Sequence, residues 1–301
     1  MYAREIKRCA SAIAIFFGWG FVMHATGLLL HEFGGHALTA SIWGCGISAY
    51  GLTFFGHGQV TRRTCDDWSM TGILIVDWSG LVFTTAVGAV AAWVLHKKTE
   101  WPPLWRLLVA LVAFFFLLGQ LGYATQGGFH DLFDPRRSAI WLGKHGVHWL
   151  AWVPTMILYA LAAAYCARAA VDAFRAHFGA KTRLGTFGYL ASTLGVAGVL
   201  YFEAFRIEWQ IRTDLAMRGV TEKAERIAEA THGPPPFPIH LVLLLIAVAA
   251  LVWALARPVT PEGRNLEPRE PRELPHGLAV AVALSTAACF LVLLLLITRS
   301  S

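Results

Sequence analysis

Apolar and polar positions do not alternate along most of this chain. Apolar residues run in long blocks separated by shorter polar breaks. A helix crossing a bilayer needs ~20 apolar residues. Seven blocks qualify: about 9–43, 70–96, 104–126, 147–170, 184–205, 237–256 and 277–297. Lipid offers no partner to backbone N–H and C=O groups, so each block is predicted to be helical. The first is longer than a bilayer needs and is predicted to tilt or to project beyond it. One break has a different texture. Residues 44–67, GCGISAYGLTFFGHGQVTRRTCDD, alternate, carry β-branched side chains and are punctuated by glycine, which predicts a short β-hairpin. In 206–232, Ile207, Ile211, Leu215 and Ile227 recur at roughly helical spacing, which predicts an amphipathic interfacial helix. Residues 257–276 are rich in proline and charge and read as a flexible linker. The expected fold class is an all-α polytopic membrane protein with seven transmembrane helices and a hairpin after the first span.

Composition strengthens this picture. Of 301 residues, 56% are apolar and 15% charged, against roughly 25% charged in soluble domains. The net charge of +6 suits anionic headgroups of a lipid bilayer. No aromatic–basic interleaving or recognition motif points to nucleic acid. With seven spans, 14 of the 25 lysines and arginines fall on the N-terminal side. That bias predicts a cytoplasmic N-terminus in a multi-pass protein of the cell (inner) membrane. The basic N-terminus followed by an apolar run is like a signal peptide. The run carries His31, Glu32 and His36 and no small-residue cleavage site, so it is read as a span. Cys9, Cys166 and Cys289 lie in or beside apolar blocks as packing residues. Cys45 and Cys65 flank the hairpin and can pair if it faces an oxidising compartment.

The chemistry concentrates in GLLLHEFGGHALTA, residues 27–40. Two histidines and a glutamate within six residues of an apolar helix are costly there and default to function. A zinc hydrolase needs three protein ligands, an open position for water and a general base beside it. In HExxH the histidines share a helix face and the glutamate adjoins the water. Here the spacing is HExxxH. Five residues along an ideal helix turn His36 about 140° away from the His31 face. Two arrangements escape this. A π-bulge over Phe33, Gly34 and Gly35 would bring His31 and His36 together. A regular helix would instead pair Glu32 with His36, and Glu32 would be a ligand rather than the base.

HEFGGHALTA resembles the HExxHAL segment of the site-2 protease family, the intramembrane zinc metallopeptidases. The resemblance covers about residues 20–140. ISAYGLTFFGHGQVTR fits the β-hairpin that follows the metal helix in that family. VDWSGLVFTTAVGAV fits the next span, with Gly80 matching and Thr84 standing where an asparagine is usual. The chain departs from the pattern in its longer spacer and in lacking the usual proline, asparagine and Asp-Gly elements. The resemblance implies a metal-site core over 1–146, with further helices over 147–301. It also implies a zinc cofactor and a membrane protein or peptide as substrate. His31 and His36 would be ligands, with Glu32 as the base. A third ligand is expected from GGFHDLFDP. Asp131 is preferred because it follows the Gly127–Gly128 break, with His130 and Asp134 as alternatives. Asp-Pro also commonly opens a turn.

Other residues carry weaker readings. Asp77 would orient a metal-bound histidine, contact substrate, or simply sit at an interface. His24 lies seven residues before His31 and shares its face, as an alternative ligand or a packed histidine. His57 reads as a loop histidine. His145 and His148 lie beside Trp149 and Trp152, which mark a membrane interface. The first expectation is thus an intramembrane metalloendopeptidase. The alternative is a non-proteolytic scaffold or transport-associated subunit with a degenerate site. A di-iron enzyme would need Glu-x-x-His pairs facing one another. Glu229/His232, Glu273/His276 and the His145/His148 pair lie in polar segments or at a span edge instead.

Overall fold

The computed structural model describes residues 2–56, 58–62, 69–130, 134–144, 148–219, 239–257 and 276–300. Among the described residues, seven helices are long and apolar enough to cross a membrane: Glu5–Ile42, Met70–Lys97, Pro103–Phe129, Trp152–Phe178, Arg183–Ile211, Ile239–Ala256 and Gly277–Ile297. The chain is a multi-pass membrane protein.

The first span is three elements in line. Helix α1 (Tyr2–Leu29) runs into a π-helical segment (Leu30–Ala37), which continues as the short α2 (Leu38–Ile42). Gly44 then ends the span in the left-handed region, at φ 75°. Its N–H bonds the Ser41 carbonyl and the Cys45 N–H bonds the Ala40 carbonyl. This paired closure satisfies the last carbonyls of the helix and turns the chain out of the span. Cys45 is disulfide-bonded, and Cys65 lies outside the described residues.

The turn delivers β1 (Ile47–Leu52), which pairs antiparallel with β2 (Gly58–Arg62) in the expected hairpin, with an irregularity between Ile47 and Ala49. The hairpin is packed against the helices. Phe55 packs on Phe21 and Tyr201, Phe54 stacks on Phe290 at 4.7 Å, and Tyr50 meets Phe33. The Phe54 and Phe55 N–H groups both donate to the Glu208 carboxylate, each at 2.7 Å.

Helix α3 (Met70–Lys97) starts at Ser69, whose hydroxyl accepts from Gly72 N–H, and packs along the π-segment. The third span comprises α4 (Pro103–Ala113), a π-turn (Phe114–Leu118) and α5 (Gly119–His130). Asp134 and Pro135 precede the short α6 (Arg136–Lys144), and α7 (His148–Phe178) follows. The fifth span is α8 (Arg183–Leu190), a π-turn (Ala191–Gly195) and α9 (Val196–Gly219). Helices α10 (Ile239–Ala256) and α11 (His276–Ser300) complete the bundle.

One boundary differs from expectation. No separate amphipathic helix begins at 206. Helix α9 continues unbroken to Gly219, because 199–218 contain no glycine or proline and the hairpin tip holds the helix at Glu208. The rest of that expected segment, 220–232, lies outside the described residues, as does the linker over 258–275.

The first and second spans meet through glycines. A Cβ on Gly35 would lie 2.4 Å from Gly80 Cα and 2.5 Å from its nitrogen. Small residues let membrane helices approach this closely. Gly35→Ala therefore forces backbone apart and is expected to cost about 1–3 kcal/mol by overpacking, read as a lower unfolding midpoint in detergent. An unshifted midpoint would contradict the contact.

Candidate metal centre

The π-segment decides how HEFGGH presents its side chains. Its hydrogen bonds run from residue i to i+5, so the fifth residue returns over the first. The Leu38 N–H reaching the Phe33 carbonyl is one such bond. His31 and His36, five apart, consequently fall on one face. Their Nε2 atoms are 3.2 Å apart and their rings meet edge to face at 81°.

A third group arrives from the loop before α6. Asp134 Oδ2 is 2.8 Å from His31 Nε2 and 3.3 Å from His36 Nε2. His31, His36 and Asp134 thus offer three donor atoms to one point, a group that could hold a metal ion. Burial disfavours charge on Asp134, but the adjoining His31 and His36 imidazoles outweigh it. They hold the carboxyl well below the ordinary carboxylate range.

Each member is fixed from behind. His36 Nδ1–H donates to the Val76 carbonyl at 2.7 Å. A carbonyl only accepts, so Nδ1 carries a proton and Nε2 faces the centre, free to ligate when it is unprotonated. Gly80 gives His31 its room: a Cβ there would sit 2.8 Å from the imidazole. Asp134 accepts from the Tyr123 hydroxyl at 3.3 Å. Its loop is tied down by Arg137 on Asp77, with Nη1 3.2 Å from each carboxylate oxygen, and by Trp78 Nε1–H donating to Ser138 Oγ at 2.7 Å. Trp78 in turn stacks on Trp152.

Glu32 is buried but stands outside the converging trio. Its carboxyl group meets the Val60 backbone N–H of β2 and lies within electrostatic reach of His31, His36 and Asp134. Gly58 of the same strand covers it closely enough that a Cβ would lie 2.7 Å from Glu32 Cγ. The arrangement in which a regular helix pairs Glu32 with His36 as ligands is therefore not adopted.

The remaining expected residues are placed as follows. Asp131, the preferred third ligand, lies outside the described residues, as does the side chain of His130; the described residues bring Asp134 to the histidines instead. Asp77 is seen in contact with Arg137. The Val76 carbonyl orients His36. His24 packs edge-on against Tyr201 at 6.0 Å and is not in the group. His57 and His145 lie outside the described residues. Tyr123, Arg137 and the Val76 carbonyl were not singled out by sequence. The first two are ordinary residues near span ends, and a backbone carbonyl has no sequence signature. No protein-family model, characterised protein or solved structure matches this chain, so its chemistry is read from its own geometry.

Proposed function

We propose that this chain is an intramembrane zinc metallopeptidase that hydrolyses a membrane-embedded or juxtamembrane peptide. One observation carries the reading. Donor atoms on a tetrahedral zinc, at Zn–N and Zn–O distances of about 2.0–2.1 Å, sit roughly 3.3 Å from one another. The three atoms of His31, His36 and Asp134 are separated by 2.8, 3.2 and 3.3 Å. Two imidazoles and a carboxylate also form a hydrolytic zinc donor set, leaving a position open.

Bound zinc would polarise the scissile carbonyl and acidify the attacking water. The chain supplies the proton traffic. Glu32 takes a proton from the water as its oxygen bonds to the carbonyl carbon. It returns that proton to the amide nitrogen as the C–N bond breaks and its electron pair moves to nitrogen. The hairpin keeps Glu32 out of bulk water and holds it by the Val60 N–H. The substrate must be unwound at the scissile bond, because a helical peptide bond is shielded by its own hydrogen bonds.

Orientation belongs to the same proposal. The disulfide-bonded Cys45 favours an oxidising compartment for the hairpin. The basic-residue bias favours a cytoplasmic N-terminus. Both support a metal centre toward the outer side of the membrane.

Metal removal tests the reading. In detergent or vesicles, 1,10-phenanthroline is expected to stop cleavage of a single-span reporter peptide, and added zinc to restore it. Purified protein with no bound zinc after growth in zinc-replete medium would sink the reading.

A further inference from the structure

We infer that Tyr123 is the oxyanion donor of this site: its hydroxyl hydrogen-bonds the oxygen of the scissile carbonyl as negative charge develops there. The inference rests on the peptidase reading above and adds a catalytic residue to it.

Acyl transfer needs a donor fixed near the carbonyl oxygen before reaction begins, and such donors contribute strongly where water is excluded. Ser79 and Thr84 are buried on the adjacent stretch of α3, but their hydroxyls donate within that helix. Ser79 Oγ bonds the Val76 carbonyl at 2.6 Å and Thr84 Oγ1 the Gly80 carbonyl at 2.7 Å. The Tyr123 hydroxyl instead points at the ligand group, 3.3 Å from Asp134 Oδ2, with its ring edge-on to His31 at 6.0 Å.

The length of that bond matters. An O–H donating to a carboxylate settles at about 2.5–2.7 Å when the bond is strong. At 3.3 Å the bond to Asp134 Oδ2 is longer than that. With Asp134 Oδ2 engaged by a cation, the proton turns to a stronger acceptor beside it at little cost. The phenol oxygen also meets the Asp134 backbone N–H, which polarises the O–H and keeps it in place. Tyr123 stands on α5, a regular helix, so the donor is positioned before substrate arrives.

In the step, water oxygen bonds to the carbonyl carbon and one water proton passes to Glu32. The carbonyl π pair moves to oxygen, and the Tyr123 O–H hydrogen-bonds that oxygen without losing its proton. When the C–N bond breaks, the pair returns to the C=O bond and the nitrogen collects the proton from Glu32. Tyr123 is unchanged at the end.

The test compares the full-length wild-type chain with Tyr123→Phe in detergent, using zinc and acetohydroxamate as probes. Zinc affinity comes from chelator competition, and acetohydroxamate affinity is measured on the zinc-loaded proteins. The expected result is zinc affinity within about threefold of wild type and acetohydroxamate binding weakened by tenfold or more, the loss of one bond to a charged oxygen. A tenfold or larger fall in zinc affinity would assign Tyr123 to orienting Asp134 and overturn the inference. Unchanged acetohydroxamate affinity would also overturn it. Wild-type chain that binds no zinc overturns the peptidase reading and this inference together, whereas either of the first two results leaves that reading standing. Retained zinc in Tyr123→Phe also reports that the variant is folded.

Discussion

Glu32→Gln is expected to lower peptide hydrolysis by about 10²–10⁴-fold while leaving one zinc per chain. The argument rests on where Glu32 sits. It is not among the three converging donors, so metal binding does not need its charge. Glutamine has nearly the same shape. It fits under Gly58 and its amide oxygen accepts from the Val60 N–H as the carboxyl does. What glutamine cannot do is take a proton from water at neutral pH. The substitution therefore removes one function and keeps the architecture. Zinc content by mass spectrometry and reporter cleavage are read on the same preparation. Cleavage that survives the substitution would remove Glu32 from the mechanism. Loss of zinc along with cleavage would return Glu32 to the ligand set.

The second large effect separates two aspartates. Asp134→Ala is expected to abolish stoichiometric zinc binding, and Asp131→Ala to leave it intact. Losing a partner that only orients a ligand costs 10–100-fold in affinity; losing one of three donors must cost more. Alanine at 134 leaves two imidazoles 3.2 Å apart with no anionic donor on the cation. It also removes an acceptor of the Tyr123 hydroxyl. The α6 loop itself stays anchored, because Arg137 to Asp77 and Trp78 to Ser138 do not involve Asp134. Lost zinc would thus not be a consequence of a detached loop. Full zinc occupancy in Asp134→Ala, or its loss in Asp131→Ala, would reverse the assignment.

The aspartate question marks a limit of reading a chain linearly. GGFHDLFDP offers three ligating residues within five positions, and span boundaries read from hydropathy are uncertain by about that much. The Gly127–Gly128 pair suggests a break that favours Asp131. In the structure α5 runs through both glycines to His130. Gly128 instead makes room for Trp152, whose ring a Cβ there would meet at 2.2 Å. A glycine needed for packing and a glycine needed for a break look identical in sequence.

What the sequence alone determined is the membrane architecture: seven spans, the hairpin after the first, and the cluster of His31, Glu32 and His36 on one helix. These follow from one-dimensional properties, since apolar length is set by bilayer thickness and alternation by the strand repeat. Only the tertiary structure decided that HExxxH can converge. The extra residue is absorbed as a π-segment from Leu30 to Ala37, and close packing of Gly35 on Gly80 holds that segment against α3. The second span then supplies the Val76 carbonyl behind His36, and the segment before α6 supplies Asp134 in front of it. Those partners lie 40 and 98 residues from His36. The physical reason is that periodicity specifies which face a residue takes on its own helix, whereas a metal site is made where faces of several helices meet.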